Sequence, residues 1–357
     1  MPALFTICLS LYKEYPMECS YYKKLEPGKV KCMLCPHQCI IGNNNSGLCA
    51  VRYNDNGSLL AESYGIVSAL SPDPVEKKPL YHFFPGMNIF SVGSYGCNLT
   101  CSFCQNHDIS QVNQFSGIRS AKTTTIEQII RAATVSENNC GIAFTYNEPL
   151  VWIEFMLDIS LAAGDSGLNT AMITNGYINP GPLDDIIPLV DAFNVDLKAF
   201  NNDFYRKYTG SSLKPVLNAI QKIASHGRHL EITMLIIEGL NDSHDEFREA
   251  VKWIAENCGR ETPLHLSRYF PRHRMSLPAT PEETLLNLWE IAAEHLHYVY
   301  LGNTHRSIGQ NTHCPACGTL ITVRKGYNTT QLSAGSRGEC LECGKIIYKK
   351  FKTLQQH

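Results

Sequence analysis

From residue 88 to residue 302 the chain repeats one pattern, a short and almost uninterrupted apolar run followed by an amphipathic stretch. The runs are NIFSVGSY (88–95), GIAFTYN (141–147), TAMITNG (170–176), FNVDLKA (193–199), LEITMLII (230–237), PLHLSRY (263–269) and YVYLG (298–302). Apolar runs without polar alternation predict strands buried on both faces of a parallel sheet. The stretches between them carry helix-start signals: Thr125 with Gln128, Ser243 with Glu246 and Thr280 with Glu283 each read as a capping box. Gly167, Gly227 and Gly259 stand where helices should end. The pattern predicts an α/β fold, a partial TIM-type (β/α) barrel over residues 87–306, with a doubly wound open sheet as the alternative.

The pattern fails at both ends. Residues 1–86 form a Cys-rich N-terminal segment, irregular from about residue 32 because prolines punctuate stretches such as SPDPVEKKPLYHFFPG. Residues 307–357 are too few for an ordinary core and predict a metal-stapled, zinc-ribbon-like C-terminal domain.

Composition adds limits. The chain has 357 residues, 44% hydrophobic and 18% charged, with a formal net charge of −2. Nucleic acid and anionic membranes are poor partners for so balanced a chain. The opening MPALFTICLSLYKEYPM has a short apolar run with no preceding basic residue, so neither a signal peptide nor a membrane span is expected. The expectation is a cytoplasmic protein whose 15 cysteines stay reduced, where grouped cysteines bind metal rather than form disulfides.

Eleven of those cysteines fall into three groups, leaving Cys8, Cys19, Cys140 and Cys258 as small buried apolar residues. Cys314, Cys317, Cys340 and Cys343 form two C-x2-C-G knuckles, with Gly318 and Gly344 relieving the turns. Four thiolates close a tetrahedron, so this set predicts structural zinc. The basic residues around it, Arg324 among them, are not interleaved with stacking aromatics. Cys32, Cys35, Cys39 and Cys49 make a second set of four, with His37 as a substitute ligand. Zinc and an auxiliary 4Fe-4S cluster both fit that spacing, with zinc slightly preferred.

Cys97, Cys101 and Cys104 number only three, at the C-terminal end of the first expected strand. By spacing alone, a 4Fe-4S cube with one open iron and a Cys3His zinc site completed by His107 are comparable. The C-x3-C-x2-C spacing with Phe103 before the third cysteine resembles the signature of the radical S-adenosylmethionine (radical SAM) superfamily. That resemblance implies a 4Fe-4S cluster whose open iron binds S-adenosylmethionine and cleaves it to methionine and a 5′-deoxyadenosyl radical, the cofactor carrying the chemistry.

The likeness extends to pyruvate formate-lyase activating enzymes. Their Gly-Gly-Glu motif corresponds to Tyr146-Asn147-Glu148, their Asp-Thr-Asn-Gly to Ile173-Thr174-Asn175-Gly176, and their Asp-Leu-Lys to Asp196-Leu197-Lys198. The resemblance implies cofactor contacts from Phe103, Asn147, Glu148, Thr174, Asn175 and Lys198. Glu148 would meet the methionine amino group and Lys198 the carboxylate. Ile173 cannot ligate, so the cation site of activases is not carried over. CMLCPHQC, SGLCAVR, DPVEKKPLYHFFPG, GCNLTCSFCQN, FTYNEP, TNGY and VDLKAF resemble more closely the radical SAM member of the AmmeMemoRadiSam system. That likeness implies a functional link to AMMECR1-like and Memo-like proteins and an electron donor such as flavodoxin or ferredoxin.

The expected substrate is a small polar molecule. Candidate residues near it are Glu76, Lys77, Lys78, Tyr81 and His82, expected to cover the barrel mouth, together with Tyr269, Arg272, His273, Arg274, Asn303, His305 and Arg306. A glycyl-radical activase acting on a partner protein and a non-catalytic zinc-ribbon adaptor are the competing readings.

Overall fold

The computed structural model describes residues 17–112, 123–304 and 306–352. Cys8 and His305 lie outside them. The centre is an eight-stranded sheet: β1 (Ala69–Pro74), β2 (Asn88–Gly93), β3 (Asn139–Phe144), β4 (Asn169–Thr174), β5 (Ala192–Asp196), β6 (His229–Ile236), β7 (Leu264–Arg268) and β8 (Val299–Gly302). Strands β2 to β8 are parallel and are the seven expected from the apolar runs. Their spatial order is their chain order with no reversal, whereas a doubly wound sheet would reverse at a switch point.

Strand β1 was not expected. Its sequence, ALSPDP, holds two prolines and runs antiparallel to β2 at the sheet's edge. An edge strand can leave one side of its backbone unpaired, which is where proline is tolerated. The expected boundary at residue 86 therefore cuts off a strand that belongs to the sheet.

Six helices cover one face: α1 (Ile126–Val135), α2 (Ile153–Asp165), α3 (Pro180–Ile186), α4 (Leu213–Ser225), α5 (His244–Cys258) and α6 (Glu282–Ala293). Phe90, Val92, Phe144, Phe193 and Met234 belong to the same core as Ile129, Ile159, Ile220, Phe247 and Leu288 from the helices. Apart from Ile89 and Ile173, the other sheet face carries mostly small or polar side chains. Ile89, Ala143, Ala171 and Ala192 pack there with Val75, Leu80, Phe83 and Met87. The strands thus mostly alternate large outward against small or polar inward, although both faces are covered.

Of the three expected capping boxes one forms. Thr125 caps α1 with reciprocal bonds to Gln128. Ser243 precedes α5 without a side-chain cap, because Glu246 accepts a hydrogen bond from Asn201 instead. The Thr280 hydroxyl is spent on the Ile236 carbonyl at 2.6 Å, and Pro281 opens α6. Gly167, Gly227 and Gly259 do follow helices with positive φ.

Between residues 17 and 61 the N-terminal segment forms two small antiparallel sheets rather than irregular chain. One joins Met17–Glu18, Ser58–Ala61, Arg52–Asp55 and Asn45–Ser46; the other joins Tyr22–Leu25, Lys29–Cys32 and Ile40–Ile41. At the C-terminus, Thr312–His313, Leu320–Lys325 and Asn328–Gln331 form a three-stranded antiparallel sheet. No helix of the described residues is long and apolar enough to cross a membrane.

Candidate active site

The three-cysteine loop leaves the C-terminal end of β2, where the side chains of a parallel sheet's loops converge. Asn147, just past β3, braces its start: the Oδ1 atom accepts the Ser94 N–H at 2.9 Å and the amide donates to the Gly96 carbonyl at 2.9 Å. Gly96 has φ +84°, and a Cβ there would stand 2.5 Å from the Cys49 carbonyl. Only glycine fits that approach. Thr100 and Ser102 donate their N–H groups to Thr209 and Tyr208. Phe103 is buried, its ring 5.9 Å from that of Phe204.

Glu148 is 4% exposed and ties the ends of β3 and β4 together. Its Oε1 accepts the Leu150 N–H at 3.0 Å and the Thr174 hydroxyl at 2.7 Å, and Oε2 accepts the Asn175 N–H at 2.8 Å. Three of about four lone-pair directions on the carboxylate are therefore filled. Burial pushes its pKa up to about 7 against the lowering effect of those bonds. Asn175 in turn directs its side-chain amide to the Cys97 Sγ at 3.7 Å and to Asn98 Oδ1 at 2.9 Å. The Leu99 N–H also points at the Cys97 Sγ, at 3.4 Å. Two N–H donors on one sulfur suit a thiolate.

Lys198, two residues past β5, is half-buried and pairs with Asp196 at 2.7 Å. Burial opposes its charge, but Asp196 and Cys101 outweigh burial and hold its pKa above the ordinary lysine range. Among the described residues only Cys314, Cys317, Cys340 and Cys343 bring their ligand atoms within 4.8 Å of one another. The Cys314–Cys343 and Cys317–Cys340 sulfurs stand 3.5 and 3.6 Å apart. A single zinc with Zn–S near 2.3 Å requires S···S of about 3.8 Å. The Cys97, Cys101 and Cys104 sulfurs do not all lie within 4.8 Å of one another, a spacing compatible with separate corners of a cluster. The donor set and its N–H donors therefore fit an iron–sulfur cluster.

The profile of the radical SAM superfamily matches residues 91–254. A relative spanning nearly the whole chain, an uncharacterised protein of Methanocaldococcus jannaschii, is 40% identical over 333 residues, covering 92% of this chain and 98% of its own. The chain belongs to the radical SAM superfamily. It is an enzyme by that membership. The pyruvate formate-lyase-activating enzyme of Clostridium pasteurianum is 26% identical over 155 residues, 43% of this chain and 64% of the relative. The pyruvate formate-lyase 1-activating enzyme of Escherichia coli is 22% identical over 157 residues, 42% and 61% respectively. A solved domain of pyruvate-formate lyase-activating enzyme from Bacteroides vulgatus aligns with TM-score 0.41 and 21% identity over 46% of this chain and 99% of that one. Membership implies a 4Fe-4S cluster and S-adenosylmethionine.

In this radical SAM chain the residues singled out from the sequence divide sharply. Cys97, Cys101, Cys104, Asn147, Glu148, Thr174, Asn175 and Lys198 gather at one end of the sheet. His107 is not with the thiols: its ring stacks on His273 at 4.6 Å and its Nδ1 pairs with Asp108. His37 commits its Nε2 to the Asn98 carbonyl at 2.8 Å. Glu76, Lys77, Lys78, Tyr81 and His82 do not cover the mouth. They link Pro74, opposite Asn88 in the sheet register, to the first residue of β2, so they close the opposite end. Tyr81 and His82 donate their N–H groups to Glu231, and Pro79 accepts from Asn194.

Tyr269 is fully buried and bonds Met275. Asn303 donates to Ser267, and Arg306 pairs with Glu282. Arg272 and Arg274 are exposed, and the Arg274 N–H reaches the Ser102 carbonyl inside the three-cysteine loop at 2.9 Å. Arg324 is buried and holds the Tyr81 carbonyl and Thr312, so it is unavailable to nucleic acid. Sequence reasoning missed Asn98, which bonds Asn175, Tyr177 and His37, and Asp196 as the partner of Lys198.

Proposed function

We propose that this enzyme holds a 4Fe-4S cluster on Cys97, Cys101 and Cys104, cleaves S-adenosylmethionine reductively, and acts on a small polar substrate inside a partial (β/α) barrel. When bound, the cluster supplies one electron to the sulfonium C–S bond of S-adenosylmethionine, which generates a 5′-deoxyadenosyl radical. The observation that carries the reading is the chain of contacts Glu148–Asn175–Cys97, which fixes one ligand thiol from strands β3 and β4. Glu148 keeps one lone-pair direction for an amino group. Lys198, already oriented by Asp196, offers its ammonium to a carboxylate. A low-potential one-electron donor such as flavodoxin or ferredoxin would reduce the cluster.

The inward face of the sheet supports a polar substrate. Asp73 accepts from Lys78 at 2.7 Å and from the hydroxyls of Ser91 and Tyr146. The Lys78 ammonium lies 4.3 Å from the centre of the Tyr146 ring, and burial brings its pKa down to about 8. Tyr146 adjoins Asn147 and Glu148, so this buried polar group stands beneath the radical-generating loop and suits a polar substrate. Structural zinc on Cys314, Cys317, Cys340 and Cys343 completes the reading. Both knuckles share one bonding pattern, the first cysteine donating five residues on and accepting from Gly318 or Gly344.

The activase likeness favours a second reading, in which the hydrogen donor is a glycine of a partner protein. Anaerobic purification, reduction with dithionite and addition of S-adenosylmethionine test both. Formation of 5′-deoxyadenosine by the parent and its loss in Cys97→Ala are expected. An intact cluster that forms none would remove both readings, and a stable glycyl radical in a co-purifying protein would favour the second.

A further inference from the structure

We infer that Cys32, Cys35, Cys39 and Cys49 hold a second 4Fe-4S cluster rather than zinc, seated directly against the Cys97 loop. The four thiols line one small cavity together with Leu34, Ile41, Val151 and Arg52. They belong to the described residues, yet they do not gather as the C-terminal four do, whose ligand atoms lie within 4.8 Å of one another. One zinc ion draws four sulfurs to about 3.8 Å of each other. A cubane bonds each cysteine through a different iron, so its sulfurs splay outward around a larger centre. Within one molecule the C-terminal set has the compact arrangement a single zinc requires and the N-terminal set does not.

A further observation points to an anionic occupant. Arg52 is 1% exposed and lines the cavity. Its two terminal nitrogens are held by Glu154 at 2.9 Å, while its Nε–H has no partner. An unmet buried donor on a cation is costly unless an anionic acceptor stands before it. Bare thiols supply no such charge; thiolates bound to iron or to zinc both do, so Arg52 argues for a filled site and the sulfur spacing for the cubane. His37 is excluded as a fourth or fifth ligand through Nε2, which is spent on the Asn98 carbonyl. That same contact joins the two cysteine sites. Asn98 lines the N-terminal cavity and directly follows Cys97, and the Cys49 carbonyl packs against Gly96 on the other side.

The inference does not rest on the Cys97 assignment, and metal counts separate the two. The full chain is purified anaerobically, and iron, sulfide and zinc are counted in the parent and in a Cys97→Ala/Cys101→Ala/Cys104→Ala variant. The parent should hold about eight iron and eight sulfide with one zinc, and the variant about four of each, its visible sulfide-to-iron absorption persisting at about half intensity. Iron absent from the variant with zinc risen to about two, or no metal beyond the C-terminal zinc, would overturn the proposal. About two iron in the variant, the content of a two-iron cluster, would overturn the cubane. Should the variant fail to fold, the parent decides with Cys32→Ser/Cys49→Ser, which should lose half the iron and keep the zinc. A parent with about four iron and two zinc sinks the idea outright.

Discussion

Glu148 shows how much a single buried carboxylate settles at this site. Its oxygens hold two backbone N–H groups and a hydroxyl from two strand ends, and Asn175 carries that order onward to Cys97. In Glu148→Gln one oxygen becomes an NH2 donor facing either the Leu150 or the Asn175 N–H. Leaving one of these buried groups unmet costs about 1–3 kcal/mol. Removing a partner that orients a metal ligand typically costs about 10–100-fold in activity. We expect 5′-deoxyadenosine formation to fall by that factor while cluster iron stays near the parental level. A variant within twofold of the parent would show that Glu148 is only a fold residue. The glutamate was legible in the sequence because a motif marks it. Asn98 was not, since three partners on separate segments define its role and no local pattern encodes them.

At the level of elements, periodicity found every parallel strand because each is an apolar run followed by an amphipathic helix. It missed β1 because Pro72 and Pro74 are acceptable only at an edge, and edge status is a property of the assembled sheet. It also missed the two N-terminal sheets, whose strands of two to four residues are too short for any period to register. The join between these small sheets and the β2 loop is a backbone contact at Gly96. Gly96→Ala combines a left-handed φ with a 2.5 Å approach to the Cys49 carbonyl. A strained residue of this kind costs about 1–3 kcal/mol. We expect a lowered thermal midpoint and reduced iron in the purified chain. Gly164→Ala is the control, since a Cβ there meets nothing within 4 Å and lies on helix α2. It should be neutral or stabilising by up to about 1 kcal/mol. Equal losses in both variants would mean that the Gly96 contact has no special role.

Across the whole molecule the two ends of the sheet are separated by task. The cysteine loop occupies the C-terminal end of the strands, and Glu231 organises the other. Buried on β6, it accepts the N–H groups of Tyr81 and His82 at 3.0 and 2.7 Å and the ring nitrogens of His229 and His265 at 2.9 and 2.6 Å. Arg324 then clamps the Tyr81 carbonyl, so the C-terminal domain docks on the same plug. Burial alone would raise the Glu231 pKa, but its bonds to His229 and His265 outweigh burial and hold it well below the ordinary carboxylate range. A carboxylate whose folded pKa is depressed stabilises the fold above its unfolded value, here 4.5, and loses that contribution as pH falls below it. Denaturant unfolding should therefore show stability dropping on acidification below about pH 4.5. Glu231→Gln should lose about 3 kcal/mol at neutral pH, as expected when one partner leaves a buried charged network. The variant should also respond less to acid. Because Glu231 and the Cys97 loop lie at opposite ends, the folded variant should keep its iron. If its pH slope matched the parent's, the anchoring of residues 75–86 would have to reside in the apolar contacts of Val75, Leu80 and Phe83 instead.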